Sequence, residues 1–176
     1  MITPDTKDWT WVLDRACPEC GFEAELFSRE DVAGLTRRNG SSWEQLLSDG
    51  LITRIRPDQS TWSPLEYACH VRDVFSIFEL RISLMLTTQD PLFANWDQDL
   101  SATTGRYDEQ DPVTVIDALA VAAETLAHRL DGVQETEWQR PGRRSNGSSF
   151  TVETISRYMI HDPIHHIWDV TRVLRY

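Results

Sequence analysis

The chain has 176 residues, and its 28 acidic against 17 basic side chains give a formal charge of -11 at pH 7. That length fits one domain with a substantial core, and the acidic balance removes the electrostatic basis for binding nucleic acid. No apolar run approaches the roughly 20 residues of a membrane-spanning helix, and the start MITPDTKDWTWVLDR lacks the basic-then-apolar layout of a secretion signal, so a cytoplasmic protein without membrane partners is expected.

The first 27 residues read as an N-terminal extension to the domain, containing Cys17-Pro18-Glu19-Cys20-Gly21. Its C-x-x-C looks like half of a zinc ribbon, but Cys69 is the only other cysteine, which excludes a four-cysteine site. No alternating strand and helix pattern surrounds it, as a redox C-x-x-C would require, so a structural knuckle before the first helix is expected.

Apolar residues at Val32, Leu35, Trp43, Leu46 and Leu47 predict a first helix over about 29–48, with Asn39-Gly40 as a point of bending or splitting. Trp62-Ser63-Pro64-Leu65-Glu66 has a cap, a first-turn proline and a capping-box acid, and opens a second helix ending near Thr87. From Thr88 to Asp111 no period is sustained, which predicts a long connection. Asp111-Pro112 starts a third helix that runs to Asp131-Gly132. Arg140 to Gly147 reads as a tight basic turn, and Thr151 caps a last helix. Four helices without convincing alternating strands predict an all-α four-helix bundle whose crossover is the connection at 88–111.

His161 and His165 are four residues apart, so on a helix both imidazoles share a face and can grip one ion. His70, two turns into the second helix, is the natural third ligand from a facing helix, and three neutral imidazoles would leave an open coordination position. His166 lies about 100° around the helix from His165 and is expected to share the ion only if the helix is distorted, for which Pro163, lacking an N–H for the Met159 carbonyl, supplies a cause. Asp162, Asp169 and Asp73 are candidate acceptors for the imidazole N–H groups. His161-Asp162-Pro163-Ile164-His165 resembles H-E-x-x-H, but the shorter acid and the proline argue against a peptidase. Trp96 and Trp168 are candidates to wall a pocket, and Arg143 and Arg144, within the basic cluster begun by Arg140, to orient an anionic substrate.

Over nearly its whole length, and in Trp62 to Asp73 and His161 to His166 in particular, the chain resembles the DinB/YfiT-like superfamily of metal-dependent enzymes. The resemblance implies a four-helix bundle with one long crossover and a three-histidine site for a divalent ion, zinc or nickel foremost, at His70, His161 and His165. It also implies a thiol S-transferase or isomerase activity in which the metal activates a low-molecular-weight thiol. The Cys17 and Cys20 extension, Pro163 and the doubled His165-His166 depart from the family pattern. The competing readings are a metal-dependent hydrolase and a non-catalytic protein that binds a metal or small molecule. The expected partner is a small-molecule substrate; bundles often pair, which leaves a homodimer open, although no interface signature is present.

Overall fold

The computed structural model describes residues 9–172, so the first eight residues of the extension lie outside it. Its long helices are α1 (Asp31–Ser48), α2 (Pro64–Thr87), α4 (Pro112–Asp131) and α5 (Val152–Arg172), and a short α3 (Gln98–Thr104) lies between α2 and α4. α1 and α2 each pack between α4 and α5, so the two helices that follow one another first in the chain sit diagonally across the bundle. No helix among the described residues is long and apolar enough to cross a membrane.

The helix starts follow their local chemistry. Ser63 Oγ accepts from the Glu66 N–H at 3.3 Å while the Glu66 carboxylate accepts from the Ser63 N–H at 2.9 Å, closing the capping box at α2. Asp111 accepts from the Thr114 N–H at 2.9 Å ahead of Pro112, and Thr151 Oγ1 accepts from the Thr154 N–H at 3.1 Å at the head of α5.

Asn39-Gly40 does not split α1, which is continuous through both residues. A Cβ at Gly40 would lie 3.1 Å from Ala123 Cβ, so the glycine stands where α1 and α4 approach closely. α5 likewise continues through Pro163.

The connection at 88–111 is more ordered than its sequence suggests. It contains β1 (Leu92–Phe93), α3 capped by Asp97, and a 3-10 turn at Tyr107–Glu109. β1 pairs in parallel with β2 (Pro141–Arg144), which pairs antiparallel with β3 (Ser149–Thr151), so the basic turn is a small hairpin. Strands of two to four residues are too short to display an alternating pattern, which is why they escape a reading of periodicity. A Cβ at Gly142 would lie 2.7 Å from Met85 Cγ, so β2 lies directly on α2.

The bundle core is filled by Trp43, Phe75, Ile82, Met85, Leu119, Leu126 and Met159, with Tyr107 packed in from the long connection. Tyr107 donates its hydroxyl hydrogen bond to Asp73, whose other oxygen accepts from Arg72 at 2.8 Å. Asp73 is therefore engaged with the crossover instead of serving His70.

Candidate metal centre and cavity

α5 presents His161, Asp162, His165 and His166 within six residues. Neighbouring residues of a helix point about 100° apart, so the two i,i+4 pairs, His161 with His165 and Asp162 with His166, look toward different neighbours. The second pair meets His70 on α2, and the first meets Cys17 and Cys20 from the N-terminal segment. The expected set of His70, His161 and His165 is thereby divided, with one member in one group and two in the other. His166 joins His70 without any interruption of the helix, because the offset of one residue already turns it toward α2.

In the first group, the ligand atoms of His70, Asp162 and His166 all lie within 4.8 Å of one another. His70 is fully buried, with Nε2 at 3.1 Å from Asp162 Oδ1, and its ring stacks on Trp96 at 5.1 Å and 9°. His166 Nε2 is 3.5 Å from Asp162 Oδ1, and its Nδ1 is 3.0 Å from Asp169 Oδ2. Burial pushes the Asp162 carboxyl up, but the imidazoles of His70 and His166 more than offset that and hold it below the usual carboxylate range.

In the second group, the ligand atoms of Cys17, Cys20, His161 and His165 also lie within 4.8 Å of one another. Cys17 Sγ is 3.6 Å from His165 Nδ1. Burial lowers the affinity of His161 for a proton, to a value of about 4, with His165 beside it adding to the effect. Burial also pushes the Cys20 thiol up to about 12, against a backbone hydrogen bond from Phe22. Trp9 and Phe22 cover His161 with ring separations of 5.6 and 5.4 Å.

A cavity of about 460 Å³ lies against this face of α5, lined by Asp162 and His166 and by Arg81, Trp96, Arg144 and Tyr158, and it reaches His161 and His165 near Trp9. Arg144 donates to Asn95 Oδ1 at 2.6 Å and to the Tyr158 hydroxyl at 3.3 Å, while its Nε is buried without a partner. Arg81 is buried beneath Phe78 and Phe93 and donates to the Ala94 carbonyl at 3.1 Å. Burial and the Arg144 charge together bring its guanidinium down to about 10, still charged at neutral pH.

Of the expected arginines, only Arg144 reaches the cavity. Successive residues of a strand point to opposite faces, so Arg143 turns outward and pairs with Asp90 at 2.9 Å. Arg140 instead donates to the Met85 and Thr88 carbonyls at 2.6 and 3.2 Å, tying down the end of α2. Trp96 walls the cavity, whereas Trp168 packs against His165 and the Arg172 guanidinium. Arg81 was not singled out by the sequence, where it sits in the middle of an apolar stripe; a charged residue at a core-facing helical position is the signal that could have flagged it.

The DinB superfamily profile matches residues 29–170, so the chain belongs to the DinB superfamily. Among solved structures it is similar to YfiT from Bacillus subtilis, described as a probable metal-dependent hydrolase with an unusual four-helix bundle topology. The TM-score is 0.73 at 15% identity over 84% of this chain and 88% of YfiT, which is a likeness of fold. No curated protein matches the chain at a significant level.

Proposed function

We propose that this protein is a metal-dependent enzyme acting on an anionic small molecule, with His70, Asp162 and His166 holding one divalent cation at the edge of the cavity. The observation that supports it is the approach of His70 Nε2 to Asp162 Oδ1, 3.1 Å, beside His166 and a cavity flanked by Arg81 and Arg144. Two imidazoles and a carboxylate fit zinc, nickel or iron, and three protein ligands beside a cavity match the arrangement of catalytic rather than closed structural sites. When bound, such a cation supplies the acidity that ionises a thiol or water near neutral pH.

The chain's own residues account for the remaining requirements. Arg144 and Arg81 offer guanidinium hydrogen bonds to a carboxylate or phosphate of the substrate. Burial holds the Tyr158 phenol protonated, above its ordinary range, so it can donate to a substrate oxygen. Asp169 accepts from His166 Nδ1–H and so keeps the Nε2 lone pair available. Trp96 covers His70 against solvent.

Thiol transfer, with a low-molecular-weight thiol as nucleophile, is the leading reaction on the strength of the family resemblance; hydrolysis is the second reading, supported by the description of YfiT. Elemental mass spectrometry of the wild type and of His70→Ala and His166→Ala tests the site: both substitutions should lower the metal content by about one ion per chain. Metal content that neither substitution changes overturns the reading. Turnover of electrophilic carboxylates with and without added thiol then separates transfer from hydrolysis.

A further inference from the structure

We propose that Cys17, Cys20, His161 and His165 form a second metal site, a closed structural zinc centre that clamps the N-terminal segment onto α5. This inference rests on different residues from the function proposed above and stands or falls separately.

The ligand set has the composition and spacing of tetrahedral zinc sites, C-x2-C from a turn and H-x3-H from a helix. The turn is shaped as a knuckle. Cys17 N–H donates to the Phe22 carbonyl at 2.7 Å, the Cys17 carbonyl accepts from Gly21 N–H at 2.9 Å, and Gly21 takes a left-handed φ of 74° with open space where a Cβ would stand. This brings both sulfurs to one side, where all four ligand atoms converge within 4.8 Å.

The site is buried at Cys17, His161 and His165, which are 2%, 4% and 8% exposed. His161 Nε2 is a buried polar atom without a hydrogen-bond partner, the expected state of a nitrogen whose lone pair is directed at a cation. His165 completes the pattern: Nδ1 faces Cys17 Sγ, while Nε2 lies 3.7 Å from Asp169 and 3.8 Å from Glu19, carboxylates positioned to orient the ring.

Charge favours a dication here. Zinc binding releases the two thiol protons, and two thiolates with two neutral imidazoles balance the ion, leaving no net charge in a buried place. Four protein ligands leave no open position, so the role is structural. The clamp joins positions 148 residues apart and holds the helix that also carries Asp162 and His166.

Cobalt reconstitution of the full chain tests this. Wild type and His166→Ala should both show thiolate-to-cobalt charge-transfer absorption with the d–d bands of a tetrahedral ion, and Cys17→Ser/Cys20→Ser should lose the charge-transfer bands. Absence of those bands in cobalt-loaded wild type, or their survival in the double variant, overturns the proposal. Because the double variant can fail to fold, thiol titration of zinc-loaded wild type under native conditions serves as a second measurement. A chelator should expose two additional reactive thiols per chain, and equal reactivity with and without chelator overturns the proposal. Loss of metal in His166→Ala with the thiolate bands retained would separate the two centres in one experiment.

Discussion

Asp169 sets one carboxylate oxygen, Oδ2, 3.0 Å from Nδ1 of His166 and thereby fixes which nitrogen of that ring faces Asp162 and His70. The same oxygen lies 3.7 Å from His165 Nε2, so a single carboxylate stands beside a histidine of each group on α5. Arg172 holds its other oxygen at 3.2 Å. Asp169→Asn keeps the shape and removes the charge. It should weaken metal binding at the His70 group about 10- to 100-fold, the usual cost of losing such a partner. Competition with a calibrated chelator reads this directly, and unchanged affinity would dismiss the orienting role.

Arg143 and Arg144 are adjacent in sequence but opposite in direction. If Arg144 binds the substrate anion, Arg144→Met should reduce kcat/KM about tenfold or more, consistent with a charged hydrogen bond of about 1.5–3 kcal/mol. Arg143→Met, whose partner is the exposed Asp90, should stay within about twofold. Steady-state kinetics on the pair, in whichever of the thiol-dependent and thiol-independent assays shows turnover, gives the comparison; equal effects would remove Arg144 from the site.

Gly142 has no room for a side chain. Its Cβ would meet Met85 Cγ at 2.7 Å and Phe93 Cε1 at 3.0 Å, and both side chains are buried. Gly142→Ala should cost about 1–3 kcal/mol through overpacking where β2 crosses α2. Urea denaturation should show the midpoint falling with the slope unchanged.

The Glu66 carboxylate joins helix capping to an ion pair. Burial pushes it up, but the Arg56 guanidinium, at 2.8 Å through Nε, and the Ser63 N–H more than offset that, so it stays below the usual carboxylate range. A carboxylate whose folded value is depressed stabilises the protein above its unfolded value and loses that contribution as pH falls through the folded one. Glu66→Gln should therefore cost about 1–2 kcal/mol at pH 7, and the difference from wild type should shrink as the pH is lowered through the carboxylate range. Denaturation series at several pH values provide the check; a gap independent of pH would assign the effect to packing alone.

Much of this protein was legible from local sequence. Ser63-Pro64-Leu65-Glu66 and Asp111-Pro112 mark their helix starts because caps and first-turn prolines act within a few residues. The apolar repeat of α1 and the family resemblance led to the right bundle. The sequence also contained both halves of the cluster of Cys17, Cys20, His161 and His165, each readable as a partial zinc motif, but nothing local says that a turn near residue 20 lies against a helix near residue 165.

What the sequence determined by itself, then, was the four long helices and the concentration of histidine and aspartate on α5, since these follow from periodicity, capping and residue type. Tertiary structure decided the partners. A one-residue offset rotates a side chain by about 100°, so whether His70 meets His165 or His166 depends on how α2 and α5 are turned toward each other. The rotation is set by the whole core packing of the bundle. The same dependence put Arg81 beside Arg144 and turned Arg143 away, for both outcomes follow from which face of α2 and of β2 the folded core covers.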